Sequence, residues 1–527
     1  MTKFIGNDFV RLRREPQSRS KVFLTLAFGD AVEVVDHQDG FVKLRALTHF
    51  DGSATGWTKN NQKLQLRDTG VLKFSMVDVQ QGDGLIMETP SGKIVLFDGG
   101  DNKLFARHLA ARFRHRASSP QSPLPIDAMI VTHGDADHFD GLNDIKRSEE
   151  ESGIAARKRI FIHPQRVFHN GLVKQSSSKP GGGRRKDVEM FGATLEQNGE
   201  TYAIDLHENL LEVPDARMNL PFKRWKKSLQ HWSDRGPIEF RRIALGDDTA
   251  EVFDFLEEEG IEIDLHGPVV ESVRDPQSGE DVPALRFFRA PKKSPDMHLR
   301  EAESGSVSAS HTVNGHSIAM RIRFGGLRLY LTGDLNRPAM QLLQEQVPKE
   351  FLESEIIKAP HHGSADFDFE ALAAMRPVVA IISSGDESSN KEHIHPRATL
   401  MAALGKVMRE NTGIIFNTEL AAFFHKRDFA HKREDLKKFF SARKNEVFTG
   451  SELADMFTGK LEEGDPESAF YAFERTNFGI IHIRSDGEKV LVFTHSGKKG
   501  MNEAYVFTVR TVDGTTKVKF AKKAVVH

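Results

Sequence analysis

The sequence predicts a layered α/β architecture behind a small all-β barrel, and three observations carry that expectation. Residues 1 to about 66 are short strand-like runs separated by Gly/Asp turns. From about Val71, apolar strands alternate with helix-compatible segments. Polar residues able to bind metal then recur at the ends of those strands, where open α/β sheets present their ligand sites.

In the first block the runs Val22–Ala27, Ala31–Val35 and Phe41–Arg45 read as strands, with turns at Gly29-Asp30 and Asp39-Gly40. Beyond Val71, VLKFSMVDV, GLIMET and KIVLFDGG read as strands joined by QQGD and PSGK turns. A helix is expected over Lys103–Ala117, and the apolar run Ala128–Thr132 leads into THGDADHFDGL. Between Asn143 and Gly260 periodicity is poor, and two basic stretches stand out, QSSSKPGGGRRKD and KRWKKSLQHW. Strand texture returns at IEIDLHGP, and a Ser/Pro/charged stretch at about 272–306 reads as a surface loop. HSIAMRIRFGGLRLYLTGDLN reads as a hairpin turning at Gly325-Gly326. After it come a helix around 338–347, the strand EIIKAPHHGS, a helix ending at Arg376 and the strand PVVAIISSG. Residues 427–475 are charged and helix-compatible, ahead of the strands FGIIHIRS and KVLVFTH.

At 527 residues, two to four domains are expected. A hydrophobic fraction of 39% with 28% charged residues fits a folded globular chain. The formal net charge of −2 excludes a global basic field, so any contact with nucleic acid has to come from local patches. Without cysteine, a metal would be held by His, Asp and Glu alone. No run is long and apolar enough to cross a membrane, and the N-terminus lacks the layout of a secretory signal, so a cytoplasmic location is expected.

THGDADHFDGL places a histidine at i, acids at i+2 and i+4, and a second histidine at i+5. A tight loop with that spacing can aim several side chains at one point, and two divalent ions can share it if later strands supply further ligands. Asp334 ends the strand YLTGD, His361 and His362 follow IIKAP, and His395 lies in HIHP. Four polar strand ends in succession favour a built site over a chance surface turn.

VDVQQGDGLIMETPSGKIVLFDGG, THGDADHFDGL, YLTGDLN, KAPHHGS and HIHP resemble, in order and approximate spacing, the motif series of metallo-β-lactamase-fold hydrolases. They resemble more closely the soluble hydrolase domain of the ComEC competence protein family. Shared details are the aspartate at Asp135, the Gly-Gln-Gly-Asp-like turn Gln80-Gln81-Gly82-Asp83, an Asn-x-x-Ser match at Asn314–Ser317, and His-His-Gly-Ser. The resemblance spans about residues 71–500, with insertions at about 165–255 and 427–475 and a C-terminal strand extension over 501–527. It implies an αββα sandwich. Residues 1–66 resemble bacterial SH3-like domains in the arginine-rich opening strand, the x-G-D-x-V-x-V run and Gly56-Trp57.

The resemblance also implies roles. His133 and Asp135 would bind a first metal, Asp137 and His138 a second, and Asp334 would bridge the two. Asp98, in the Asp-Gly-Gly motif, would brace the metal loop from behind. The slot for a third histidine holds Asn314-Gly315-His316, so Asn314 or His316 would support the site, or neither. Ser383-Ser384 stand where many relatives carry the last metal histidine. His361, His362 or His395 would then complete the second site, and the others would protonate a leaving oxygen. The implied reaction is attack by a hydroxide that two cations activate, centred on Asp137 and its partners. A carboxylate at Asp135 tilts the expected metal toward Mn²⁺, with Zn²⁺ next.

Cleavage of DNA or RNA phosphodiesters is the leading expectation for substrate. It is supported by Lys179, Arg184, Arg185 and Lys186 beside three glycines, by Lys223, Arg224 and Trp225 with Trp232 as an alternative base-stacking ring, and by Lys426–Arg433. Hydrolysis of a lactone, thioester, β-lactam or cyclic nucleotide is the alternative, and a non-catalytic scaffold the third. The SH3-like block would bind a peptide, a partner protein or a wall-type polymer, or simply pack on the hydrolase.

Overall fold

The computed structural model describes residues 1–48, 54–61, 63–292, 304–385, 395–409, 413–420, 441–442, 476–477, 479–495, 503–512 and 515–520. Of the insertion expected at about 427–475 only 441–442 are described, and the basic stretch Lys426–Arg433 lies outside the described residues.

Among the described residues up to 67, seven strands from Thr2–Ile5 to Leu66–Arg67 form an antiparallel sheet. The three expected strands are present as Val22–Ala27, Ala31–Gln38 and Phe41–Ala46. Alternation puts Val10, Leu12, Val42 and Leu44 inside. This unit is docked on the rest of the chain. Phe28 packs with Val71, Leu491 and Val506, while Arg484 donates to the Phe28 carbonyl and to Asp30 Oδ1, each at 2.7 Å.

Two sheets face each other in the remainder. The first has ten strands, in the order Glu239–Arg242, Arg166–His169, Ala128–Ile130, Ile94–Asp98, Gly84–Glu88, Leu72–Met76, Ile480–Ser485, Lys489–His495, Ala504–Val512 and Thr515–Phe520. The second has six, in the order Ile261–Leu265, Met320–Phe324, Leu327–Leu331, Ile356–Lys358, Val379–Ile382 and Ile414–Asn417. Phe74, Phe97, Ile130, Ile263, Leu329 and Ile381 fill the space between them. Helices Leu104–Arg112, Ala136–Glu150 and Leu220–Ser233 cover the first sheet, and Arg337–Gln346, Phe369–Met375 and Ala398–Val407 cover the second. Strands buried on both faces read as continuous apolar runs, such as the fully buried Ile94–Asp98.

Several expectations need correcting. Arg166–His169 and Glu239–Arg242 pair in parallel with the main sheet, so residues 165–255 build part of the sandwich as well as interrupting it. In the C-terminal extension, strands Ala504–Val512 and Thr515–Phe520 join the edge of the same sheet. The stretch read as a surface loop contains the hairpin Glu271–Arg274 and Asp281–Arg286, because Val273, Ala284 and Leu285 are buried among its charged residues.

Candidate metal centre

The centre is built where strands of both sheets end. Strand Ile94–Asp98 stops at Asp98, whose φ of 54° turns the chain sharply. Its carboxylate accepts hydrogen bonds from the Thr132 backbone N–H at 2.8 Å, the Thr132 hydroxyl at 2.7 Å and His138 Nδ1 at 2.8 Å. With Nδ1 committed to Asp98, the His138 Nε2 faces the centre. Nδ1 of His133 has the Ser317 hydroxyl oxygen at 3.2 Å. That hydroxyl donates to the Asn314 carbonyl at 2.8 Å, so it accepts from Nδ1 and leaves a lone pair on His133 Nε2. Gly82 lets the QQGD turn lie against this loop. With φ at 92°, a side-chain carbon there would come within 1.7 Å of the Asp137 carbonyl oxygen.

His133, His138 and Asp334 bring ligand atoms within 4.8 Å of one another, as do Asp137, His138 and His362, and Asp83, Asp334 and His362. His362 Nε2 lies 2.9 Å from Asp334 Oδ2, and His138 Nε2 lies 3.3 Å from the same oxygen. Neither contact is aligned as a hydrogen bond, and Nε2 of His133, His138 and His362 are all buried without a hydrogen-bond partner. Buried polar atoms are rarely left so. Nitrogens and carboxylates converging in this way fit a divalent cation with N/O ligands.

The electrostatics agree. Burial alone would raise the Asp334 carboxyl, but His362, His138 and Lys358 hold it well below the ordinary range. Burial pushes the His133 imidazole well below its ordinary value, so it is neutral and ready to ligate. Burial opposes charge on His362, yet Asp334 and Asp83 push it up to about 9. A cation entering the centre would displace that proton. His361 and His362 have φ of 44° and 52°, strained for non-glycine residues, and the strain turns consecutive rings toward one cavity.

Some expected residues sit apart from these groups. The Asp135 carboxylate faces Lys174, with Nζ 2.8 Å from Oδ1, and belongs to none of the convergent groups among the described residues. Asp135 precedes helix Ala136–Glu150 but its side chain does not cap it, because the carboxylate is turned to the lysine. His362 belongs to two of these convergent groups, whereas His361 Nε2 stands 3.9 Å from Asp334 Oδ2 and 3.3 Å from the Asn314 amide. His361, His395, Asn314, Ser384 and Gln80 line a cavity of about 350 Å³ that opens onto Asp137 and Asp334. Ser383 lies behind that wall and donates to the Gly82 carbonyl at 2.7 Å.

His316 does not support the centre. Its Nε2 contacts the Arg286 carbonyl at 2.8 Å and its ring stacks on Phe288. Trp225 and Trp232 cannot stack on a base, since they are 1% and 0% exposed in the core beneath helix Leu220–Ser233. Arg224 pairs with Asp140. Lys223 is half-buried on the same helix. Lys179 pairs with Glu189, and Arg185 donates to the Ser176 and Ser178 carbonyls, whereas Arg184 and Lys186 are exposed.

Sequence reasoning missed three contributors. Asp83 sits in the QQGD turn, where the motif resemblance assigns it no role. It is buried against Lys358 and lies 3.3 Å from His362 Nδ1. Lys358, 1% exposed, also lies 3.3 Å from Asp334 Oδ1 and donates to the Gly333 carbonyl at 2.7 Å. Lys174 comes from the stretch of poor periodicity. Asp83 and Lys358 sit inside the QQGD and KAPHHGS motifs, which mark them in the sequence, while nothing local marks Lys174.

No curated protein matches the chain closely. The family model described as the metallo-beta-lactamase superfamily matches residues 78–279, which hold Asp83, Asp98 and the loop from His133 to His138, while Asp334, His361 and His362 lie beyond the match. The chain therefore carries a metallo-beta-lactamase superfamily domain at residues 78–279, completed into a centre by strand ends from the second sheet.

Proposed function

We propose that the protein is a metal-dependent phosphodiesterase that cleaves nucleic acid. A metallo-beta-lactamase superfamily domain implies a metal-dependent hydrolase, and the Nε2 atoms of His133, His138 and His362, buried without a hydrogen-bond partner, support one. The observation favouring a polyanionic substrate is the loop carrying Arg184 and Lys186. It is rooted beside the cavity, since the Ala309 N–H donates to Asp187 at 3.0 Å and Val188, Met190 and Phe191 pack with Ala309 and Val313. Helix Ala309–Gly315 also contributes Ser310, His311 and Asn314 to the cavity wall. Exposed cations on a glycine-rich loop suit phosphate contact.

His133, His138, Asp137, Asp334 and His362 would hold the metal, which when bound supplies Lewis-acid stabilisation and an activated water. Asp98 fixes the direction of His138. His361 and His395, with ring centroids 5.9 Å apart on the cavity wall, are placed to give a proton to a leaving oxygen. Manganese is favoured over zinc only where Asp135 is a ligand. With that carboxylate on Lys174, the remaining imidazoles and carboxylates suit Zn²⁺ and Mn²⁺ alike. The N-terminal unit, read as an SH3-like barrel, serves as a fixed attachment, given its ion pairs to Arg484 and Lys489.

Small-molecule hydrolysis is the second reading. A cavity of about 350 Å³ is of ligand size. The test is a panel of single- and double-stranded DNA, RNA, a lactone and a thioester, each with Mn²⁺ or Zn²⁺. Cleaved oligonucleotides, with loss of cleavage in Asp137→Ala, support the first reading. Intact oligonucleotides beside a hydrolysed lactone or thioester overturn it.

A further inference from the structure

We propose that the ammonium group of Lys174 takes the place of one of the two cations expected at this loop, so that the centre holds a single divalent ion. The inference rests on the metal-dependent reading and goes beyond it by assigning the number of ions and the residue that sets it.

Both oxygens of Asp135 are engaged. Oδ1 has Lys174 Nζ at 2.8 Å. Oδ2 has the Asn314 amide nitrogen at 2.9 Å in the orientation that also lets that amide donate to the Ser310 carbonyl at 3.0 Å. The ammonium is not a mobile surface group. The Lys174 side chain is 16% exposed, Nζ also reaches the Ser310 hydroxyl at 3.4 Å, and the Lys174 carbonyl accepts from the Asn219 N–H at 2.8 Å. A divalent ion on Asp135 would have to displace this ammonium or sit against it, and like charges at such range in a partly buried site are strongly unfavourable. The ligand atoms without partners lie elsewhere, on His133, His138 and His362 around Asp334. A tethered cation can neutralise a carboxylate where a metal would otherwise do so, and it cannot be removed by a chelator.

Metal stoichiometry tests this directly. Full-length protein is saturated with Mn²⁺, freed of excess and assayed for metal per chain, and its Mn²⁺ electron paramagnetic resonance spectrum is recorded. Wild type is expected to hold one ion with the spectrum of an isolated Mn²⁺. Lys174→Arg, which keeps the charge, should match it. Lys174→Met should gain a second ion and show the broadened spectrum of a coupled pair, while Asp135→Asn should still hold one. Two ions in wild type, loss of the ion in Asp135→Asn, or a folded Lys174→Met that stays at one ion overturns the proposal. Wild type that binds no ion overturns the metal-dependent reading itself, so the two failures are distinct.

Discussion

Nδ1 of His138 donates to Asp98 Oδ2 at 2.8 Å, and this one bond couples the Asp-Gly-Gly turn of one strand to the ligand loop of the next. The same carboxylate holds the Thr132 N–H and hydroxyl, so the loop's entry and its second histidine share one anchor. Asp98→Asn is expected to weaken metal affinity about 10–100-fold, as loss of such a supporting partner does. Competition against a chelator measures it, and an unchanged affinity would remove Asp98 from the centre.

Asp334 Oδ2 lies 3.3 Å from His138 Nε2 and 2.9 Å from His362 Nε2. Asp334→Ala should abolish hydrolysis, and a chelator should do the same to wild type reversibly. The check is activity before stripping, after stripping and after adding back Mn²⁺ or Zn²⁺. Activity that survives both treatments would exclude a metal mechanism.

Trp225 and Arg184 should separate stability from binding. Trp225→Ala should cost about 3–5 kcal/mol of stability by leaving a cavity under its helix. Arg184→Ala should leave stability unchanged and lower the salt dependence of oligonucleotide binding by about one unit of slope. Denaturant midpoints and binding titrations at several salt concentrations test the pair.

Glu88 predicts an acid limit. Burial would raise its carboxyl, but Lys73 and Arg112 outweigh that and bring it to about 2, against an ordinary 4.5. A depressed carboxyl stabilises the fold fully above the unfolded value and loses that contribution as pH falls from about 4.5 toward 2. The contribution is about 3 kcal/mol, and the side chain is only 14% exposed, so screening is limited. Urea midpoints of wild type and Glu88→Gln should differ at pH 7 and converge toward pH 2. His108, brought to about 3 by burial with Arg112 and His495, adds a loss of stability that begins as pH falls below its ordinary 6.5.

How legible each part was follows from how local its cause is. The layered strands and helices were readable because buried strands are continuous apolar runs, and the ends of those runs carried His133, Asp137, His138 and Asp334. The burial of Trp225 does have a signature in the sequence. Phe222, Trp225, Leu229 and Trp232 recur at helical spacing, and that face is buried while Lys227 between them is exposed.

What the sequence alone determined is therefore the layered α/β order and the strand-end His and Asp residues that could hold a metal, since periodicity and motif order are properties of neighbouring residues. Only the tertiary structure decided that His362 rather than His361 joins the ligand groups, that Lys358 and Asp83 lie beneath Asp334, and that Asp135 meets Lys174, 39 residues away in sequence. Those choices depend on which charges share a low-dielectric space after the two sheets close. Coulombic pairing between residues distant in the chain leaves no periodic trace in the sequence.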